Sequence, residues 1–252
     1  METVLETRNL RKVFSAGSRE QVLAVDDVSF TVGVGEKVAI IGESGSGKTT
    51  VAKLVTRLLA VTSGQIFLDG VDITNARGNT LKQAYRKMQM VFQSPIDSFD
   101  PRCTLGDGIA ESLRNHGATK AEAQAETARL LTLCGLRADF ANCYPHEVSG
   151  GQCQRAAIAR ALAIAPQLLI LDEATSALDV TVQAEIMALL NRLQQELSMS
   201  YLFICHDIAL VQDFCDRVLV MKDGRIVEEG TAEAIIRHPQ IEYTQMLIDS
   251  VL

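Results

Sequence analysis

Residues 42–49 read Gly-Glu-Ser-Gly-Ser-Gly-Lys-Thr, which fits G-x-x-x-x-G-K-[ST], the pattern of a loop that wraps nucleotide phosphates. Gly42, Gly45 and Gly47 allow tight turns, so successive N–H groups from Ser44 through Thr50 can face one anion. A helix beginning there adds partial positive charge at the same point. In this pattern Lys48 reaches the β- and γ-phosphates of ATP, and the Thr49 hydroxyl binds Mg²⁺. A second chemical element is Leu168-Leu169-Ile170-Leu171-Asp172-Glu173. An aliphatic strand there delivers two carboxylates to its C-terminal end, where open α/β sheets bind ligands. Asp172 is expected to hold Mg²⁺, and Glu173 to polarise an attacking water. Ser149-Gly150-Gly151-Gln152 precedes a helix expected to start near Cys153 and is a second place where an anion could sit.

These groups need elements to position them. Lys37 to Ile41 reads as a short buried strand, and Thr50 to Leu59 as a helix with Val51, Leu54, Val55 and Leu58 on one side. Val4 to Leu10, Leu23 to Val32 and Gln65 to Leu68 are strand-like, with Asp26-Asp27 interrupting the second and turns at Ser15-Ala16-Gly17-Ser18, Gly33–Gly35 and Asp69-Gly70. Residues 80–165 read as mostly helical. Within them Thr119 and Glu122 form a capping box ahead of Ala125, Ala128, Leu131 and Cys134, and Gly135 stops the run. Beyond, Leu168–Leu171, Tyr201–Cys205 and Arg217–Met221 are strands, and Val182, Ile186, Leu189, Leu190, Leu193 and Leu197 repeat at helical spacing. Asp223-Gly224 turns the last strand into a hairpin with Arg225–Glu228, and short helices at Thr231–Arg237 and Ile241–Val251 follow. The fold class expected is α/β: a phosphate-loop nucleotidase core at about 1–80 and 166–252, with an antiparallel β subdomain and an inserted helical subdomain at about 81–165, all in one domain.

Among the 252 residues, 24 basic and 31 acidic side chains give a formal charge of −7. That leaves no global field for nucleic acid, and no nucleic-acid partner is expected. No run of 18 apolar residues is present, and the first 14 carry charge throughout, which points to the cytosol. The cysteines at 103, 134, 143, 153, 205 and 215 show no C-x-x-C or zinc spacing, so reduced and mostly buried thiols are expected.

With the phosphate loop and acidic strand in place, Val148-Ser149-Gly150-Gly151-Gln152 resembles the signature of ATP-binding cassette (ABC) ATPases, with Val148 where Leu is usual. The resemblance covers nearly the whole chain. It implies that the signature of one subunit covers the γ-phosphate held by another. Gln93, in Val91-Phe92-Gln93-Ser94-Pro95, is similar to the family glutamine that contacts Mg²⁺ and water and leads into the helical insertion. Ser176-Ala177-Leu178-Asp179 resembles the loop that crosses the dimer interface, which places Asp179 beside nucleotide. His206 resembles the switch histidine that contacts the γ-phosphate, and Phe14 the aromatic that stacks on adenine, with Val22 facing the same region. For Phe14 a core position is an equal alternative.

The resemblance narrows to the peptide and nickel uptake branch. Ser94 to Arg102, Ser176 to Ala184 and His238 to Gln245 are similar to its characteristic stretches, with Ser94, Phe99-Asp100 and Cys205 as departures. It implies an ATP-hydrolysing, peripheral subunit on the cytoplasmic face of the membrane. Expected partners are two permease chains, a second ATPase subunit, identical or homologous, and indirectly an extracytoplasmic substrate-binding protein. A soluble ABC ATPase of a biosynthetic or nucleic-acid-processing assembly is the alternative.

Overall fold

A computed structural model of the chain describes residues 2–16, 20–176 and 178–250. The expected turn at 15–18 therefore falls partly outside the described residues, as does Ala177. The strands are β1 Thr3–Ala16, β2 Glu20–Gly33, β3 Lys37–Ile41, β4 Ser63–Leu68, β5 Val71–Asp72, β6 Met88–Val91, β7 Leu168–Asp172, β8 Ser200–Ile204, β9 Arg217–Lys222 and β10 Arg225–Thr231. The helices are α1 Lys48–Val55, α2 Gly78–Lys87, α3 Leu105–Asn115, α4 Lys120–Leu133, α5 Gly150–Leu162, α6 Val180–Leu197, α7 Ile208–Phe214, α8 Ala232–Arg237 and α9 Glu242–Asp249.

Two sheets organise these elements. A six-stranded sheet runs in the order β10-β9-β3-β8-β7-β6, parallel except for β10, which returns from β9 as a hairpin. The hairpin turn is Asp223-Gly224, where both residues adopt positive φ (47° and 79°), the backbone that a two-residue turn demands. A four-stranded antiparallel sheet, β2-β1-β4-β5, stands beside it.

The parallel strands are aliphatic along their length because both of their faces are covered. Alternate side chains go to opposite layers. Val38, Ile40, Ile170, Leu202 and Leu219 pack with α1 and the antiparallel sheet. Ala39, Ile41, Leu169, Phe203 and Val218 pack with α5, α6, α7 and the other helices of the far layer.

Several expectations shift. Asp26-Asp27 does not break β2. Asp27 (φ 58°) faces Asn9 (φ 48°) across a register shift, and the Asn9 amide donates to the Asp27 carboxylate at 2.6 Å, so the pair forms a bulge inside a continuous strand. α1 stops at Val55. Arg57 then turns to φ 59° and Leu58 is 51% exposed rather than packed. β6 lies within the stretch read as helical, between α2 and the helices that follow, and is the sheet's edge strand. In α4 the inward side is Ala123, Thr127, Leu130 and Leu131, and Ala125 is exposed. Leu197, in the last turn of α6, is also exposed. α5 begins at Gly150 rather than near Cys153, and β10 continues to Thr231. Cys134, Cys153, Cys205 and Cys215 are buried, Cys143 is half-buried and Cys103 exposed, all as free thiols.

Candidate nucleotide site

β3 runs straight into the loop at Gly42, and Gly47 caps α1. The backbone explains two of the glycines. At Gly42 (φ 150°) a Cβ would overlap the Met221 carbonyl, and at Gly47 (φ 105°) it would overlap that of Ala24. The loop is therefore pressed against β9 and β2. α1 has no side-chain cap and no acidic residue in its first turn, so its N-terminal N–H groups favour an anion. The Ser46 hydroxyl is buried and has no hydrogen-bond partner among the described residues. The Lys48 ammonium is buried and donates to the carbonyls of Gly42 (2.7 Å) and Glu43 (2.8 Å). Burial pulls its pKa down, an effect that the nearby Glu173 and Asp172 charges oppose.

β7 lies two strands from β3, with β8 between them. It ends at Asp172, whose carboxylate accepts a 3.0 Å hydrogen bond from the Thr49 hydroxyl. Burial pushes the Asp172 pKa up, against the Thr49 bond. Glu173 follows with φ 48°, and its N–H donates to the last carbonyl of β8, that of Ile204, at 3.0 Å. This turn presents the Glu173 side chain to two further groups. The Gln93 amide, from the segment after β6, donates to it at 2.8 Å. The His206 ring, from the segment after β8, lies 3.9 Å away. A cavity of about 90 Å³ between Glu173, Thr175, Gln183, Cys205 and His206 opens beside this carboxylate. Burial lifts the Cys205 thiol to a pKa of about 12, so it takes no part as a thiolate.

The structure thus brings Lys48, Thr49, Asp172, Glu173, Gln93 and His206 to one end of the parallel sheet. Ser149 to Gln152 is organised differently. The Ser149 hydroxyl accepts from the Gln152 N–H (3.3 Å), and the Gln152 side-chain oxygen accepts from the Ser149 N–H (2.9 Å), a capping box closed within α5. A Cβ at Gly151 would overlap Val182 of α6, whose first N–H groups are capped by Asp179 (3.0 Å to the Val182 N–H). The signature stretch and the Asp179 turn therefore pack as one unit. Phe14 is not core: it is 37% exposed on β1, paired with Val22 across the strands, with the Lys12 ammonium 5.0 Å from its ring centre.

Arg160 escaped the sequence reading. It lies on α5, donates to the Ser98 carbonyl and stands 4.3 Å over the Phe99 ring. A lone arginine among Ala156, Ala157, Ile158, Ala159, Ala161 and Leu162 was the available signal. It joins the helix that starts at Gly150 to the segment that follows Gln93.

The ABC transporter family profile matches residues 25–176. The chain is 43% identical to the oligopeptide transport ATP-binding protein OppF of Streptococcus mutans over 98% of its own length and 81% of that protein's. It is 41% identical to the dipeptide transport ATP-binding protein DppF of Lactococcus lactis subsp. cremoris, over 98% and 81% of the two chains. Among solved structures, the ATP-binding cassette MJ0796, determined as a dimer in a post-hydrolysis state with ADP and Pi, superposes with a TM-score of 0.83 at 31% identity, covering 90% of this chain and 98% of that one. The profile match and these likenesses agree: the chain belongs to the ABC transporter family and is an ATP-hydrolysing cassette.

Proposed function

We propose that this chain is the ATP-binding subunit of an importer for peptides, working through separate permease chains. The names of its relatives support peptides over nickel or a metal chelate. The cassette itself reads only ATP. The observation that carries the reading is the placement of Glu173. It sits one residue beyond the carboxylate that holds Thr49 of the phosphate loop, with Gln93 and His206 both at its side chain.

In this reading the N–H groups from Ser44 to Thr50 and the Lys48 ammonium bind the phosphates. Glu173 accepts a proton from the attacking water, which Gln93 and His206 orient. Phe14 offers its exposed ring to adenine. Thr49 and Asp172 present a hydroxyl and a carboxylate 3.0 Å apart, hard oxygen donors that suit Mg²⁺, and Gln93, bonded to the neighbouring Glu173, is assigned to the same ion. An ion held by these residues would supply charge neutralisation to the phosphates.

Ser149 to Gln152 spend their local hydrogen bonds within α5. We assign them, with Asp179, to the nucleotide held by a second ATPase subunit, identical or homologous, so that two cassettes enclose two ATP molecules. Closure drives the permeases, and hydrolysis resets them. An extracytoplasmic binding protein would choose the cargo, and the cassette would sit on the cytoplasmic face of the membrane.

Two variants test the composite site. Lys48→Ala should lose ATP binding in its own chain. Ser149→Arg should keep ATP binding by the monomer and lose dimer closure and hydrolysis. Loss of monomer binding in Ser149→Arg refutes the assignment. Co-purification with two multi-span permeases, and faster turnover per site in that complex, separates the importer from a soluble assembly.

A further inference from the structure

The phosphate loop is held from behind by the C-terminal helix. The Glu43 N–H, second in the loop, donates to the Tyr243 hydroxyl of α9 at 3.2 Å, and that hydroxyl lies 3.5 Å from the Met221 carbonyl. The same Met221 carbonyl is the group that leaves no room for a Cβ at Gly42. The Tyr243 ring is 8% exposed, with the Lys222 ammonium 4.5 Å from its centre. Residue Glu43 is therefore held on both sides of its Cα. Its N–H is bonded to α9, and its carbonyl accepts from Lys48 (2.8 Å) and from the Ser46 N–H (3.2 Å). A phosphate that drew Lys48 outward would leave the Ser46 N–H on the carbonyl and Tyr243 as the side chain bonded to the Glu43 backbone.

We propose that Tyr243 is a positioning residue for nucleotide: its hydroxyl fixes the first turn of the phosphate loop, and docking of α9 and binding of ATP are thermodynamically linked. This rests on the ATP-binding reading above. Linkage is reciprocal, so whatever orders the loop must also order α9.

The test is Tyr243→Phe, which keeps the ring and its packing and deletes one hydrogen-bonding oxygen. Mg-ATP is titrated into the purified wild type and variant. Hydrogen exchange of residues 242–249 is then followed with and without ATP. The hydroxyl should be worth roughly a three- to tenfold rise in Kd, with kcat at saturating ATP little changed. ATP should slow exchange in α9 of the wild type and not in the variant. A purely structural tyrosine would lower Tm and leave Kd and the ATP-dependent protection alone, which overturns the proposal. Equal Kd in a variant that binds ATP defeats the proposal and leaves the ATP-binding reading standing. A wild-type chain that binds no ATP defeats both.

Discussion

Glu173→Gln isolates the chemical step. Glutamine keeps the volume and an oxygen that can accept from the Gln93 amide, now 2.8 Å from the carboxylate. The Glu173 N–H still donates to Ile204, because that contact is main-chain. The variant should fold, with a cost of about 1 kcal/mol for replacing a charge-assisted hydrogen bond by a neutral one. Binding should survive. Lys48 makes its two hydrogen bonds to Gly42 and Glu43, and Thr49 to Asp172, none of them through Glu173. What disappears is the proton acceptor. A positioned base is worth roughly two to four decades in rate, or about 3–5 kcal/mol of barrier. Single-turnover hydrolysis of radiolabelled ATP by dimeric or permease-bound protein reads the chemical step directly. ATP-trapped dimer, measured by gel filtration, reads its consequence. Hydrolysis within tenfold of wild type, in protein free of contaminating ATPase, would refute Glu173 as the base. It would point instead to water held by Gln93 and His206 alone.

Asp172 gives a pH test. Burial raises its pKa in the folded chain, so the ionised form detracts from stability at neutral pH, and the penalty fades as pH falls into the ordinary carboxylate range near 4. Asp172→Asn should therefore melt higher than wild type at pH 7 while losing hydrolysis, and the gain should shrink toward pH 4. Each kcal/mol moves Tm by roughly 2–4 °C in a chain of this size, so calorimetry at the two pH values decides it. Arg160→Ala leaves the Ser98 carbonyl and Phe99 ring without their partner, at a cost of roughly 1.5–3 kcal/mol for a hydrogen bond to a charged group. Arg160→Lys keeps the charge but not the flat guanidinium, and should recover only part of that in a urea melt.

The chemistry was more legible than its frame. Glycine spacing and an aliphatic strand ending at an acidic pair are local patterns, and the loop before α1 and β7 form where they stand. Two glycines argue against a first turn, so the sequence puts the helix start near Cys153 rather than at Gly150. The cap and the close seat of Gly151 on Val182 override that cost. Met88-Gln89-Met90-Val91 follows a helix with no turn residue between, and becomes a strand through pairing with β7, a tertiary cause. Leu58 fits the helical period, but α1 has already ended when Arg57 goes left-handed. The Gln93–Glu173 bond joins residues 80 apart in sequence, and the Tyr243–Glu43 bond residues 200 apart. No local pattern encodes such distances, only the order in which the strands are laid side by side.

The two carbonyls that hold Lys48 have a further meaning for the working cycle. An ammonium shut away from water needs oxygens around it, and the loop supplies them from its own backbone. Under the proposed function, a γ-phosphate would compete with these carbonyls for the cation, and part of its attraction would be offset by the bonds it displaces. A lysine held by its own loop exchanges part of its grip on an anion for partners that the backbone already supplies.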